Sequence, residues 1–135
     1  MNEQQKALEQ IKAVYDDGFA EINGREYHFL KMRHEHRRKV FAFYTAVAHE
    51  VQSGSFAFMD TPKFAEIEKV MFNSITFDGS LISKLPEHWE EYAEDYVTLV
   101  ATALGVMSFP FLRGRLTDST SQADQSRLST SKKPM

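Results

Sequence analysis

The chain has no cysteine, which excludes disulfides, thiolate nucleophiles and cysteine-rich zinc sites. Its six glycines stand singly at 18, 24, 54, 79, 105 and 114. Isolated glycines cannot build a phosphate-cradling loop or a dinucleotide fingerprint. No uninterrupted apolar run approaches the ~18 residues of a membrane span. The polar start Met-Asn-Glu-Gln-Gln-Lys lacks the apolar segment of a signal peptide. These absences predict a soluble protein, for which a reducing cytoplasm is permitted. A net charge of -3 over 135 residues gives no positive excess for nucleic acid. That length suits a single domain.

Catalytic patterns are missing as well. Five histidines are present, but His34 and His36 are two apart and would point in different directions from a helix, roughly 200° apart. No His-Glu-x-x-His occurs, and the serines gather in a polar C-terminal segment where no packed site would position a nucleophile. The expectation is no catalytic residue, no metal site and no cofactor, and hence a protein that is not an enzyme.

What is present is periodic. Val40, Phe43, Tyr44, Val47, Ala48 and Val51 recur at steps of three and four, which makes one stripe of a helix over residues 34–54. Gly54 supplies the left-handed residue that ends such a helix. This helix is expected to be the centre around which the others pack. Lys31, Arg33, Arg37, Arg38 and Lys39 crowd its front, opposed only by Glu35. Cations there oppose the helix macrodipole. They read either as a solvated basic turn or as a contact surface for an acidic partner.

Asn2 and Gln5 form a possible capping box for a first helix with Leu8, Ile11 and Tyr15 on its apolar face, ending near Asp17-Gly18. Ile22-Asn23-Gly24-Arg25 predicts a two-residue hairpin turn, pairing Ile22 with Arg25 and Ala20 with Tyr27, with Gly18 near Phe29. Ala20, Ile22, Tyr27 and Phe29 then share the face that lies on the helices. Thr61-Pro62 predicts the cap and first position of a third helix carrying Phe64, Ile67 and Met71. Residues 75–82 read as a second hairpin or as a turn with one strand.

Pro86 opens the last ordered stretch. Trp89, Tyr92, Tyr96, Leu99, Val100, Ala103, Leu104 and Met107 share a stripe if one helix runs through, and a break near Ala93 fits equally. Glu87, Glu90, Glu91, Glu94 and Asp95 suit the front of that helix electrostatically, and offer an acidic contact surface as well. Pro110 is expected to stop the helix. From Arg113 to Met135 there is no aromatic residue and Ser or Thr occurs eight times, which predicts a flexible tail. The body, residues 1–112, holds 11 basic and 17 acidic residues, a net -6. The expected fold is mainly α, with about four helices around a central amphipathic one, one or two small β-hairpins, and a disordered tail over 113–135. Eleven phenylalanines are present, and Phe41, Phe56, Phe58, Phe72, Phe109 and Phe111 lie at predicted edges or links. They read either as additional core or as a sticky surface for polypeptide partners.

The order of these features resembles the tail assembly chaperones of long-tailed (siphovirus-type) bacteriophages or prophages. The resemblance is carried by Ile-Asn-Gly-Arg-Glu-Tyr-His-Phe, Arg-Arg-Lys-Val-Phe, Ser-Gly-Ser-Phe, Phe-Ala-Glu-Ile-Glu-Lys-Val-Met-Phe, Ile-Thr-Phe-Asp-Gly-Ser-Leu-Ile, Pro-Glu-His-Trp-Glu-Glu and Ser-Phe-Pro-Phe, over roughly residues 19–112. It implies a protein that coats the tape-measure protein, keeps it soluble and helps bring tail tube subunits to it. It further implies self-association into spiral or ring-like oligomers in the cytoplasm of the bacterial host, and absence from the mature virion. Such genes often produce a longer form by programmed frameshifting, and Ser131-Lys132-Lys133 is compatible with slippery codons. On this reading the basic and acidic groups pair between copies and the six edge phenylalanines meet partner chains. No membrane and no nucleic acid is involved. The alternatives are a structural tail component that stays in the virion, or a small nucleic-acid-binding regulator.

Overall fold

The computed structural model describes residues 3–121. In chain order they form α1 (Glu3–Asp17), β1 (Phe19–Ile22), β2 (Arg25–Phe29), α2 (His34–Ser53), α3 (Pro62–Phe72), β3 (Ile75–Phe77), β4 (Ser80–Leu81), α4 (His88–Glu91) and α5 (Tyr96–Ser121). Single 3₁₀ turns lie at Ala57–Asp60, Ile82–Lys84 and Ala93–Asp95. The architecture is mainly helical, with one small antiparallel sheet in the order β1-β2-β3-β4.

The hairpins follow from their turns. Asn23 and Gly24 both take positive φ, at 53° and 83°, as a two-residue turn of this hand requires. Ile22 therefore pairs with Arg25 and Ala20 with Tyr27, and the Phe29 N–H donates to the Gly18 carbonyl at 2.9 Å. Ala20, Ile22 and Tyr27 are buried and Phe29 is half-buried, so the expected face meets the helices. Asp78 and Gly79 repeat the same device between β3 and β4. Residues 75–82 thus contain a second hairpin, and β3 joins it to the first through β2.

The helix boundaries obey their caps. Gly54, at φ 83°, ends α2 and donates to the Val51 carbonyl. The Thr61 hydroxyl accepts from the Phe64 N–H in front of Pro62, which starts α3. Asn2, half of the expected capping box of α1, lies outside the described residues. The last stretch breaks where a break was allowed: α4 ends at Glu91, and α5 starts afresh at Tyr96 after one 3₁₀ turn.

Two expectations need correction. The structural centre is α5, not α2. In α2 only Val40, Phe43 and Val47 are buried, whereas every residue from Ala103 to Phe109 of α5 is. A helix that is apolar all round belongs in the middle, while a helix with one stripe belongs on one side. Helix α1 lies over α5 at Gly105, where a Cβ would fall 2.6 Å from Ile11 Cδ1. The segment 93–114, the preceding 3₁₀ turn with most of α5, is also long and apolar enough to cross a membrane by length and composition, with a mean hydropathy of 1.4. In this fold α1, α2 and α3 pack against that helix.

Pro110, in turn, does not stop α5 but lies inside it. Proline lacks the N–H that would bond the Val106 carbonyl four residues back, a defect of ~3 kcal/mol in a free helix. Burial of Phe109 and Leu112 on either side holds the helix together there. The helix crosses the expected 112/113 boundary and continues to Ser121. The remainder of the expected tail, 122–135, with Ser131-Lys132-Lys133, lies outside the described residues.

Candidate functional site

The two charged groups lie at opposite ends of the buried part of α5. The basic group belongs to the start of α2, which meets α5 close to Pro110. Arg37 is half-buried there, and its Nη1 donates to the Met107 carbonyl at 2.9 Å. Burial pushes the Arg37 guanidinium below its ordinary pKa. Its cation binds a carbonyl of α5 in the turn before Pro110, which explains one charge that the dipole of α2 disfavours. Lys31, Arg33, Arg38 and Lys39 remain exposed. Among them only Arg33 has an ion pair with a described residue, Glu35 at 3.3 Å. Beside them Phe111 packs on Phe41 with ring centroids 4.9 Å apart and on His34 at 5.7 Å.

The acidic group surrounds α4 and the approach to α5. Glu87, Glu90, Glu91 and Glu94 are exposed, and Glu94 is bonded to Arg25 Nη2 at 2.6 Å. Asp95 is different: it is fully buried and cannot touch a neighbouring molecule. Its expected role as a surface contact is therefore corrected. Oδ1 accepts from Asn23 Nδ2 at 2.6 Å and from Arg25 Nη2 at 3.0 Å. Oδ2 accepts from Arg25 Nε at 2.6 Å and from the Tyr27 hydroxyl at 2.6 Å. Four donors on one carboxylate satisfy a charge that would otherwise be costly to bury. The Arg25 hydrogen bonds, with those of Tyr27 and Asn23, hold the Asp95 carboxyl far below the usual carboxylate range.

The same network fixes a histidine. Because the Tyr27 proton is committed to Asp95, the Tyr27 oxygen can only accept from His88 Nε2, 2.8 Å away. His88 is thereby held as the Nε2–H tautomer, with its Nδ1 lone pair uncommitted. Burial lowers the His88 pKa, so the neutral ring prevails near neutrality. Burial and the Asp95 bond push the Tyr27 hydroxyl well above its ordinary value. Rings of Tyr27, Phe77, Trp89 and Tyr92 surround this imidazole, and Phe72 and Tyr96 extend the aromatic cluster through Trp89. The Tyr96 hydroxyl donates to Glu68 and ties the start of α5 to α3.

The six edge phenylalanines divide. Phe58, Phe72 and Phe109 are buried, which corrects their reading as partner contacts. Phe58 closes a cluster with Phe43 and Phe64, Phe72 joins the Trp89 cluster, and Phe109 stacks on Tyr15. Phe41, Phe56 and Phe111 stay half-exposed. The core took the rings whose helices face inward, which periodicity alone could not decide for links and edges.

Asn23, Arg25, Tyr27 and His88 were not singled out from the sequence as a site. One signal pointed to them: Arg25 shares the inward face of β2 with Tyr27 and Phe29. A cation in an inward register needs a buried partner, and Asp95 is that partner.

No family model matches the chain, and no curated protein or solved structure matches it either. Among the described residues no group of three metal-ligating side chains is close enough to hold an ion.

Proposed function

We propose that the chain is a tail assembly chaperone of long-tailed bacteriophages, acting in the cytoplasm of the host and absent from the mature virion. It binds the tape-measure protein and keeps it soluble, helps recruit tail tube subunits, and self-associates into spiral or ring-like oligomers. It works by surface contact, without covalent chemistry. A frameshifted long form extends the C terminus toward the tube protein. The observation that carries this reading is the division of exposed charge along α5: carboxylates at its start, and cations with Phe41 and Phe111 near Pro110. A molecule with complementary ends stacks head to tail, and an unclosed stack of that kind is a spiral or a filament. The motifs that carry the resemblance also fall on one continuous body, from the first hairpin to Pro110.

Co-expression with the long helical protein encoded downstream tests the reading. The expected result is that this protein becomes soluble only with the chaperone and co-purifies with it. Mass spectrometry of purified virions should lack the chain. Its stoichiometric presence in virions would favour a structural tail component instead.

A further inference from the structure

The Asp78–Gly79 turn and α4 enclose a cleft of about 540 Å³, walled by Phe77 and Tyr92 and edged by Asp78, Glu87 and Glu91. Lys84 is the one cation among its lining residues. His88 lines it too, at only 7% exposure. The Nε2–H of that ring is committed to Tyr27, and no described residue bonds Nδ1. The ring is nearly buried and backed by a fully satisfied network, while Nδ1 itself is within reach of solvent and can accept from a donor in the cleft. Three carboxylates and two aromatic walls specify that the donor be a cation, and a flat one by preference.

We propose that this cleft is a receptor for the guanidinium of an arginine side chain, and that the arginine is Arg38 of a second copy of this chain. The guanidinium donates to His88 Nδ1 and to Glu91 or Glu87, and lies along Phe77, since Tyr92 already carries the chain's own Arg25 guanidinium 4.2 Å from its ring centroid. Elimination selects the residue at the basic start of α2: Arg33 is paired with Glu35 and Arg37 is bonded to Met107, while Arg38 is exposed and makes no ion pair with a described residue. The cleft adjoins the start of α5, whereas Arg37 ties the start of α2 to Met107, 11 residues further on. Eleven residues span about 17 Å of helix, so receptor and arginine are separated along the helix and their pairing joins two molecules. The contact is heterologous and propagates. The choice of a second copy rests on the self-association proposed above; the affinity of the cleft for a guanidinium does not.

Two measurements on the full chain test this. N-acetyl-arginine methylamide is titrated into the protein while the His88 imidazole nitrogens and the Trp89 indole are followed by NMR. The expected result is a saturable shift at His88 Nδ1, weakened about tenfold or more, the loss of one good charged contact, when the exposed Glu87→Gln and Glu91→Gln changes are combined. No saturable shift, or one indifferent to those changes, overturns the receptor. Sedimentation velocity then compares the wild type with Arg38→Gln. Weaker self-association in the variant, and competition by the arginine derivative in the wild type, support the second-copy occupant. Unchanged oligomers in Arg38→Gln overturn that occupant even if the probe binds. A chain that stays monomeric while the probe binds overturns both the occupant and the self-association reading, leaving the receptor standing.

Discussion

Replacing Tyr27 with phenylalanine removes one hydroxyl from the centre of the buried network and nothing else. That hydroxyl donates to Asp95 and accepts from His88. Its bond to an ionised carboxylate is of the class worth about 1.5–3 kcal/mol. The His88 N–H left without an acceptor adds about 1–3 kcal/mol, unless the ring changes tautomer. Tyr27→Phe should therefore lose about 1.5–3 kcal/mol if the ring changes tautomer and about 2.5–6 kcal/mol if it does not, a large share of a typical stability of about 5–15 kcal/mol. The assay is urea unfolding followed by circular dichroism and Trp89 fluorescence, with an unchanged slope. Acid supplies a second reading. Asp95 has its folded pKa depressed, so its stabilisation is complete above the ordinary aspartate value and is lost as pH falls toward the folded value. The gap between wild type and Tyr27→Phe depends only on the two folded-state Asp95 values, because the unfolded value is common to both. It narrows once the pH falls below the value of the variant, which has lost the Tyr27 bond. A loss below about 0.5 kcal/mol, the level of an ordinary surface change, would refute the account of this network. So would a gap that widens as the pH falls.

Gly54→Ala meets no atom within 4 Å, so its cost is conformational only. Thermal unfolding should show about 1–2 kcal/mol lost for a left-handed alanine. Pro110→Ala returns an N–H to the Val106 carbonyl and should stabilise the protein by about 1–3 kcal/mol; a lower melting temperature would mean that the packing depends on the proline ring. Arg37→Glu and the pair Arg38→Glu with Lys39→Glu should behave differently in the same melts. Arg37→Glu loses the Met107 contact and destabilises the monomer, while the pair stays within about 0.5 kcal/mol of the wild type and weakens self-association in sedimentation.

Local chemistry was legible in the sequence where a backbone angle or a short period decided the outcome. Asn23-Gly24 dictated the first hairpin and its register, because few other residue pairs accept positive φ twice. Gly54 and Thr61-Pro62 marked helix ends for equally local reasons. The stripe of α2 was readable because one of its faces meets water. Helix α5 was harder, since a segment buried on all sides has no polar face to give it a phase. Pro110 was misread because sequence shows the missing N–H but not the packing and the neighbouring guanidinium that hold the turn.

The sequence by itself determined the elements, the turns, and two charge groups of opposite sign. Tertiary structure alone decided what those charges do, since solvation depends on which surfaces meet. Residues 70 and 72 positions apart brought Arg25 and Asn23 onto Asp95, turning one carboxylate of an apparent surface cluster into a buried strut. The same folding left Glu87, Glu91 and Arg38 in water and placed the two groups at separate ends of one helix. Charge is written in the chain, but its partner is chosen by distance and dielectric, and both exist only once the chain has closed on itself.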